Sequence, residues 1–492
     1  MNQYWILVAI LLPLIGGIFI PLLPFGKRKY MMIYVEVITI ITSLIVWGLL
    51  LGGTTEEVFH VIYFVQGLSI GFKIDGLTMV FAGLVSVLWP LATLYAFEYM
   101  EHDKHDKVFF MFYSMSYGVT LGIAFAADLL SMYFFYELLT LATVPLVMHT
   151  LTREAIHASR KYLYYSMGGA AFALIGLIFV IVYGEGCEFV LGGVLTASAI
   201  SDKADILLIV YLLAFMGFGV KAAIWPVSAW LPEAGVAPTP VTALLHAVAV
   251  VKAGVFAIMR LTYYSFGTDF LRGTWVQYVA MSLAMFTIVY GCSKAVKETH
   301  VKRRFAYSTV SNLSYVIFGV TIMTPLGLVG ALSHMICHAV MKICLFMCAG
   351  AFMHQTGKNY VYEMDGIGRK MPIVFGCLTI SGLGLMGVPG LAGFNSKWQL
   401  AKAAVESENI MSYFGVGVLL ISAMLTAFYM LTIVVRSFFP KEEFDYQTIA
   451  EVKDPGWKMC VPMLVCAVGT VVLGFFASPM IHFFEKIAAG LY

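Results

Sequence analysis

The sequence predicts an all-α polytopic membrane protein of about 14 transmembrane helices. Three observations carry that prediction. Of the 492 residues 61% are hydrophobic and only 12% charged, about half the charge of an ordinary soluble domain, and the mean hydropathy is +0.88. The apolar residues come in continuous runs, and about 20 such residues in a helix cross the hydrocarbon core. The runs do not alternate in ten-residue stretches as the strands of a transmembrane barrel do. A soluble enzyme and a disordered or fibrous chain are excluded. With 30 Lys and Arg against 28 Asp and Glu, no charge excess points to nucleic acid.

The spans are expected at 4–25, 31–53, 77–99, 108–127 and 129–150, then at 162–184, 205–226, 240–262, 275–293 and 305–323, and finally at 326–353, 372–393, 410–436 and 459–482. The first lacks a basic leading segment and an A-x-A site, so it reads as a retained span and not a cleaved signal. Asp75 stands where an N-cap of the third span belongs. Glu36, Glu98 and Asp128 read as span-end charges that headgroups or water satisfy, and Trp89, Trp225, Trp230 and Trp275 as an aromatic belt. Basic runs at Lys27-Arg28-Lys29, at Arg153 with Arg160-Lys161, from Lys294 to Arg304, at Lys358 with Arg369-Lys370, and at Arg436 with Lys441, Lys453 and Lys458 all fall on one side of this count. The opposite loops are acidic or neutral: Glu56-Glu57, Glu185 to Asp205, and Glu406 with Glu408. The positive-inside rule then puts both termini outside the cytoplasm. Only the loop carrying Arg260 and Arg272 fits poorly.

Of the eight cysteines, Cys187, Cys292, Cys337, Cys344, Cys348, Cys377, Cys460 and Cys466, none forms a C-x-x-C pair. Iron–sulfur clusters and structural zinc need thiolates grouped at such spacings, so free buried thiols are expected and no cofactor is assigned to the chain.

Function is sought in charges that lie at membrane depth, because each costs about 2.5–3.5 kcal/mol to insert. The fifth span holds Glu137, the seventh Lys221, the eighth His246 and Lys252, the eleventh His334, His338 and Lys342, and Lys397 follows the twelfth. His334, His338 and Lys342 are four residues apart, so at helical pitch they share an arc of about 80°. Three aligned polar groups on an apolar helix point to a hydrated relay. The rival readings are satisfied core histidines, or a metal or haem site, for which no third ligand stands at useful spacing.

Prolines 226, 232, 238 and 240 interrupt the chain just after Lys221, and Gly387, Pro389, Gly390 and Gly393 just before Lys397. Unpaired backbone at membrane depth survives only where protein or a water-filled cavity satisfies it. A break beside a lysine in each half of the chain points to an inverted repeat with its ion path at the breaks; the bland alternative is two loop ends at the interface. Glu137 and Lys221 read as a pair. Burial favours the neutral form of each and a nearby carboxylate favours the charged lysine, so changing their separation would load or unload a proton. A static pair joining two helices is the alternative.

These residues sit in motifs that match a known family. GFGVKAAIWPVSAWLPEAGVAPTPVTALLHAVAVVKAGVF at 217–256, FFYELLTL around Glu137, RRFAYSTVSNLSY at 303–315 and GVPGLAGFNSKW at 387–398 resemble the antiporter-like subunits shared by respiratory complex I, membrane-bound energy-converting hydrogenases and Mrp-type sodium/proton antiporters. The resemblance covers nearly the whole chain. It implies about fourteen core helices, with the fourth to eighth and ninth to thirteenth forming two inverted five-helix repeats and helices 7 and 12 discontinuous. Carried over, the parts are 1–107, a first repeat at 108–262, a second at 263–436, and 437–492 with the last helix. Glu137 and Lys221 become the first half-channel, His246 and Lys252 the connecting positions, Lys342 the central lysine of the second half with His334 and His338 beside it, and Lys397 the terminal lysine that some members replace with glutamate. The short tail after the last span sets the chain apart from the largest complex I member, and S-K-W is closer to hydrogenase-linked or Mrp members.

The function expected is proton or sodium translocation by a subunit without its own redox centre, driven by redox chemistry in partner subunits, or exchange of sodium for protons in an Mrp assembly. Its partners would be other membrane subunits, related antiporter-like ones included, the lipid bilayer, and protons or Na⁺. It would sit in a bacterial or archaeal cytoplasmic membrane. The competing classes are a membrane scaffold that moves nothing and a haem- or quinone-binding subunit. Subunits of inorganic-carbon uptake complexes are further relatives.

Overall fold

In hydrocarbon an isolated segment satisfies its backbone hydrogen bonds only as a helix, and the chain is helical almost throughout. The computed structural model describes residues 3–55, 57–65, 68–441 and 444–491; Glu56, one of the acidic-loop residues, lies outside the described residues. In chain order the elements are α1 (Tyr4–Phe19), α2 (Arg28–Leu51), β1 (Phe59–Val65), β2 (Leu68–Phe72), α3 (Gly76–Tyr99), α4 (Asp106–Phe125), α5 (Leu129–Val147), α6 (Arg153–Tyr183), α7 (Ala197–Gly219), α8 (Trp230–Glu233), α9 (Thr239–Ala247) and α10 (Val250–Met259). There follow α11 (Thr268–Leu271), α12 (Trp275–Lys297), α13 (Val301–Thr321), α14 (Pro325–Thr356), α15 (Pro372–Met386), α16 (Ala392–Glu406), α17 (Ile410–Phe438), α18 (Trp457–Phe475) and α19 (Ser478–Ala488).

Among the described residues ten helices are long and apolar enough to cross a membrane, counting α9, α10 and the π-helical turn at Arg260–Phe266 as one. The runs expected at 4–25 and 372–393 are the shorter apolar helices α1 and α15. Those expected at 205–226 and 305–323 are α7 and α13, of 23 and 21 residues. Helix α13 is polar for a packing reason. It is enclosed by other helices, and Ser308, Ser311, Asn312 and Ser314 are all buried against them.

Three expectations are corrected. Trp89 and Trp230 are fully buried and take no part in a belt, unlike Trp225 and Trp275; the Trp230 indole donates to the Val220 carbonyl at 2.7 Å, closing a bond that the end of α7 leaves open. Glu36 is the ninth residue of the 24-residue α2, well inside the helix and half-buried, with no hydrogen-bond partner for Oε2 among the described residues. Strands β1 and β2 form an antiparallel hairpin, Phe59 opposite Phe72, in a chain expected to be all helix; it docks on the start of α5 through Gly71 N to Ser131 Oγ at 2.9 Å.

Asp75 caps α3 as expected, its Oδ1 accepting from Thr78 N at 2.9 Å. Three residues of the basic runs make ion pairs: Arg28 with Asp106 at 2.8 Å, Lys161 with Glu233 at 2.5 Å and Arg436 with Asp365 at 3.3 Å. Arg260, the misfit in the loop pattern, is no loop charge. It is fully buried and forks onto both Asp75 oxygens at 2.5 and 2.8 Å. All eight cysteines are free and buried.

Candidate functional site

The interruptions set the site. Helix α7 stops at Gly219, so Lys221 lies within the break. Helix α15 stops at Met386, where Gly387 and Gly390 take φ of 96° and 85°, a left-handed backbone that glycine adopts without strain. The run expected as one eighth span is also interrupted, at Val248 and Ala249 between α9 and α10. Both residues leave helical geometry, and both of their N–H groups turn to the Leu244 carbonyl, at 2.9 and 2.8 Å. Neither residue type breaks helices, so no sequence signal marks this point. It separates His246 from Lys252.

Glu137 projects from α5 with Oε1 4.0 Å from Lys221 Nζ, the carboxylate side chain 28% exposed and the lysine 1%. The Lys221 ammonium donates to the Tyr136 carbonyl and lies 3.5 Å from the centroid of the Tyr136 ring. Tyr136 in turn donates to the Phe218 carbonyl at 3.0 Å, fixing the clamp to the last turn of α7. Helix α10 touches the same break. A Cβ on Gly254 would stand 2.7 Å from the Lys221 carbonyl carbon, so only glycine permits this approach.

Lys252 on α10 is fully buried, 2.5 Å from His338 Nδ1 on α14. The His338 and His334 rings lie nearly parallel, 5.9 Å apart, and His334 stacks on Tyr315 at 4.9 Å. His334 Nδ1 is 3.0 Å from Ser396 Oγ, and its Nε2 is 3.3 Å from Asn312 Oδ1. Lys342, one turn beyond His338, is fully buried and donates to Ser308 Oγ at 2.7 Å. Lys397 on α16 donates to the Leu385 and Met386 carbonyls at 2.8 and 3.0 Å. Its charge thus closes the orphaned end of α15, where the helix dipole is negative. It also lies 5.4 Å from the centroid of Tyr315, and so beside the His334 stack.

The structure therefore joins Glu137 to Lys221, and joins Lys252, His338, His334 and Lys397 through rings and hydroxyls. It leaves His246 apart. That ring is fully buried against Phe346 at 4.8 Å, and among the described residues neither nitrogen has a hydrogen-bond partner. The charges that act on it are Lys342 and Lys302. Lys302 is a residue that sequence reasoning assigned to a surface run. Because α13 begins at Val301, its stem turns inward, leaving 5% exposed and Nζ on the Ala237 carbonyl at 2.8 Å. Tyr136, Ser308, Asn312, Tyr315 and Ser396 were also missed. As uncharged residues in apolar runs they give no signal until their neighbours are known. Among the described residues no three His, Cys, Asp or Glu side chains stand together to hold a metal ion.

Two carboxylates cap helices just outside the spans, Asp75 on α3 and Asp128 on α5. Burial alone pushes Asp75 up, but the Arg260 guanidinium outweighs it and holds the carboxyl below its ordinary value. Asp128, expected to be satisfied by headgroups or water, is instead 2% exposed, and among the described residues no cation pairs with it. Burial pushes its carboxyl up to about 6, against the N–H and hydroxyl of Ser131 at 2.7 and 2.8 Å.

Comparison with known proteins gives consistent results. Residues 126–426 match the family described as NADH:quinone oxidoreductase/Mrp antiporter, transmembrane, and residues 65–110 match the N-terminus of chain 5 of NADH-ubiquinone oxidoreductase (complex I). Subunit 5 of the NAD(P)H-quinone oxidoreductase of Paulinella chromatophora is 30% identical over 84% of this chain, which spans 65% of that relative's length. Among solved structures, a chain of the Mrp complex from Dietzia sp. superposes with a TM-score of 0.86 at 20% identity, covering 100% of this chain and 98% of that one. A chain of the membrane-bound sulfane sulfur reductase, an archaeal respiratory membrane complex, superposes with a TM-score of 0.84 at 23% identity, covering 98% and 97%. At these identities the superpositions establish the fold.

Proposed function

We propose a function from one premise: this chain, a multi-pass membrane protein, belongs to the NADH:quinone oxidoreductase/Mrp antiporter membrane family. It is an ion-translocating, antiporter-like subunit of a multisubunit membrane complex. It moves protons or sodium ions along Glu137, Lys221, His246, Lys252, His334, His338, Lys342 and Lys397. Its fourteen membrane helices form two inverted five-helix repeats at 108–262 and 263–436, with 1–107 ahead of them and 437–492 behind. Its partners are other membrane subunits, related antiporter-like ones among them, whose redox chemistry drives the cycle. It resides in the cytoplasmic membrane of a bacterium or archaeon, basic loops inside and both termini outside.

The observation that carries this reading is the burial of Lys221, Lys252 and Lys342, each at most 1% exposed, the first within the break after α7 and the second just after the break between α9 and α10. A scaffold has no use for such costly groups. In the cycle Glu137 approaches and leaves Lys221, the lysine gains and loses its proton, and each change of charge alters the next site by electrostatics. A second reading is exchange of sodium for protons in an Mrp-type assembly; lysine and not glutamate at position 397 is shared by the hydrogenase-linked and Mrp members and supports either over the glutamate-ending complex I type.

Ion movement is measured with the whole complex in sealed inverted membrane vesicles, with and without sodium. Redox-driven proton uptake without sodium supports the first reading, and strict sodium dependence without a redox substrate supports the second. A Lys221→Ala complex that assembles and transports at the parent rate leaves only the scaffold.

A further inference from the structure

The two halves of the row differ in one respect. Lys221 has Glu137 at 4.0 Å, whereas among the described residues no carboxylate lies within ion-pair distance of the fully buried Lys342. What Lys342 meets is a chain of hydroxyls. Its ammonium donates to Ser308 Oγ at 2.7 Å, which is 2.6 Å from Tyr429 Oη. Tyr429 donates to Thr426 Oγ1 at 3.3 Å, and that oxygen is 3.7 Å from Cys292 Sγ. The thiol also contacts Ser422 Oγ at 3.0 Å and Ser311 Oγ at 3.1 Å. These side chains come from α12, α13 and α17, and none is more than 2% exposed. Gly291 makes the arrangement possible, because a Cβ there would stand 2.6 Å from the Ser311 nitrogen and force α12 off α13.

A thiol, with an ordinary pKa of about 8.5, is far more acidic than serine or threonine and more acidic than tyrosine. Within this cluster it is the group best able to hold a negative charge, and the hydroxyls around it can each turn a hydrogen toward a thiolate. The titratable groups that act on it or share its field are Tyr315, Tyr429, Lys342 and Lys397, with Arg304 beyond Tyr429. We infer that the Cys292 thiol is the proton-exchanging partner of Lys342, doing in the second half what Glu137 does in the first; the inference rests on the translocation function proposed above. In the exchange the Cys292 S–H bond breaks and its proton joins Thr426 Oγ1. Once the Thr426 hydroxyl has turned from the Ser422 carbonyl to Tyr429, and that of Tyr429 from Thr426 to Ser308, Thr426 passes its own proton to Tyr429, Tyr429 passes its own to Ser308, and Ser308 passes its own to the neutral Lys342 amine. A thiolate and an ammonium result, no electrons move, and the reverse sequence restores both neutral groups.

The test is infrared spectroscopy of the purified complex across a pH series, in which the difference between parent and Cys292→Ser isolates the S–H stretch of this one thiol. The band is expected to fade as pH rises, and in Lys342→Met to persist to a pH higher by at least about one unit, since the paired ammonium is gone. In vesicles Cys292→Ser, which keeps the polar contacts but cannot ionise, is expected to transport at least about tenfold more slowly. An S–H band that is constant in pH, or that titrates alike with and without Lys342, overturns the pairing whether or not the complex transports. Transport absent from the parent complex would overturn the function itself, while the band still reports on the pairing.

Discussion

Replacing Glu137 by glutamine removes one charge and almost no volume from the first half of the row. Two unit charges 4.0 Å apart attract by about 4 kcal/mol at an effective dielectric of about 20. With 28% of the Glu137 side chain open to solvent, screening leaves roughly half of that, about 2 kcal/mol. At about 1.4 kcal/mol per factor of ten, the ratio of charged to neutral Lys221 falls about thirtyfold, and a cycle that passes through the charged lysine slows by a similar factor. The assay is the initial rate of ion uptake by sealed inverted vesicles carrying the whole complex, normalised to the amount of assembled complex. Glu137→Asp keeps the charge and is expected to retain a substantial part of the rate. A Glu137→Gln complex running within twofold of the parent would refute the reasoning, because the pair would then be a static link between α5 and the break after α7.

Three further outcomes are expected. Lys397→Met leaves the Leu385 and Met386 carbonyls without their donor and is expected to cost about 1–3 kcal/mol in thermal unfolding of the purified complex, with Lys397→Arg recovering most of it. Arg260→Met strands the buried Asp75 carboxylate and is expected to cost about 3–5 kcal/mol, while the Asp75→Asn, Arg260→Met double variant, which keeps the α3 cap, costs less than the single change. Asp128, pushed up to about 6 from 3.8, binds its proton more tightly folded than unfolded. Its contribution to stability is therefore full below about pH 4 and is lost as pH rises through about 6. Melting temperatures between pH 4 and 7 should fall more steeply for the parent than for Asp128→Asn, and equal slopes would remove Asp128 as the cause.

How much of this was legible in sequence depends on the range of the interaction. The apolar runs became helices, and Asp75 became the cap of α3, because both depend on neighbours a few residues away. The break before Lys397 was visible because Gly387 and Gly390 announce it by residue type. The break at Val248 and Ala249 was not, since valine and alanine are ordinary residues in an apolar run and their departure from helix depends on what surrounds them. Arg260 looked like a loop charge on the wrong side until Asp75, 185 positions away in the chain, was found beneath it. Lys302 looked like one more basic surface residue until the onset of α13 turned it toward Ala237.

The amino-acid sequence by itself determined that this chain is a multi-pass membrane protein, that it is helical through most of its length, and which charges stand within its apolar runs. Each of those follows from local composition, from a 3.6-residue period, or from the cost of burying a charge. Only the tertiary structure decided which of the deep charges meet: Lys221 with Glu137, Lys252 with His338, Lys397 with the end of α15, Lys342 with a hydroxyl chain that ends on Cys292, and His246 with the Phe346 ring and, among the described residues, no hydrogen-bond partner. Contacts of a few ångströms between helices scores of residues apart in the chain are set by how whole surfaces pack, and no local pattern carries that distance.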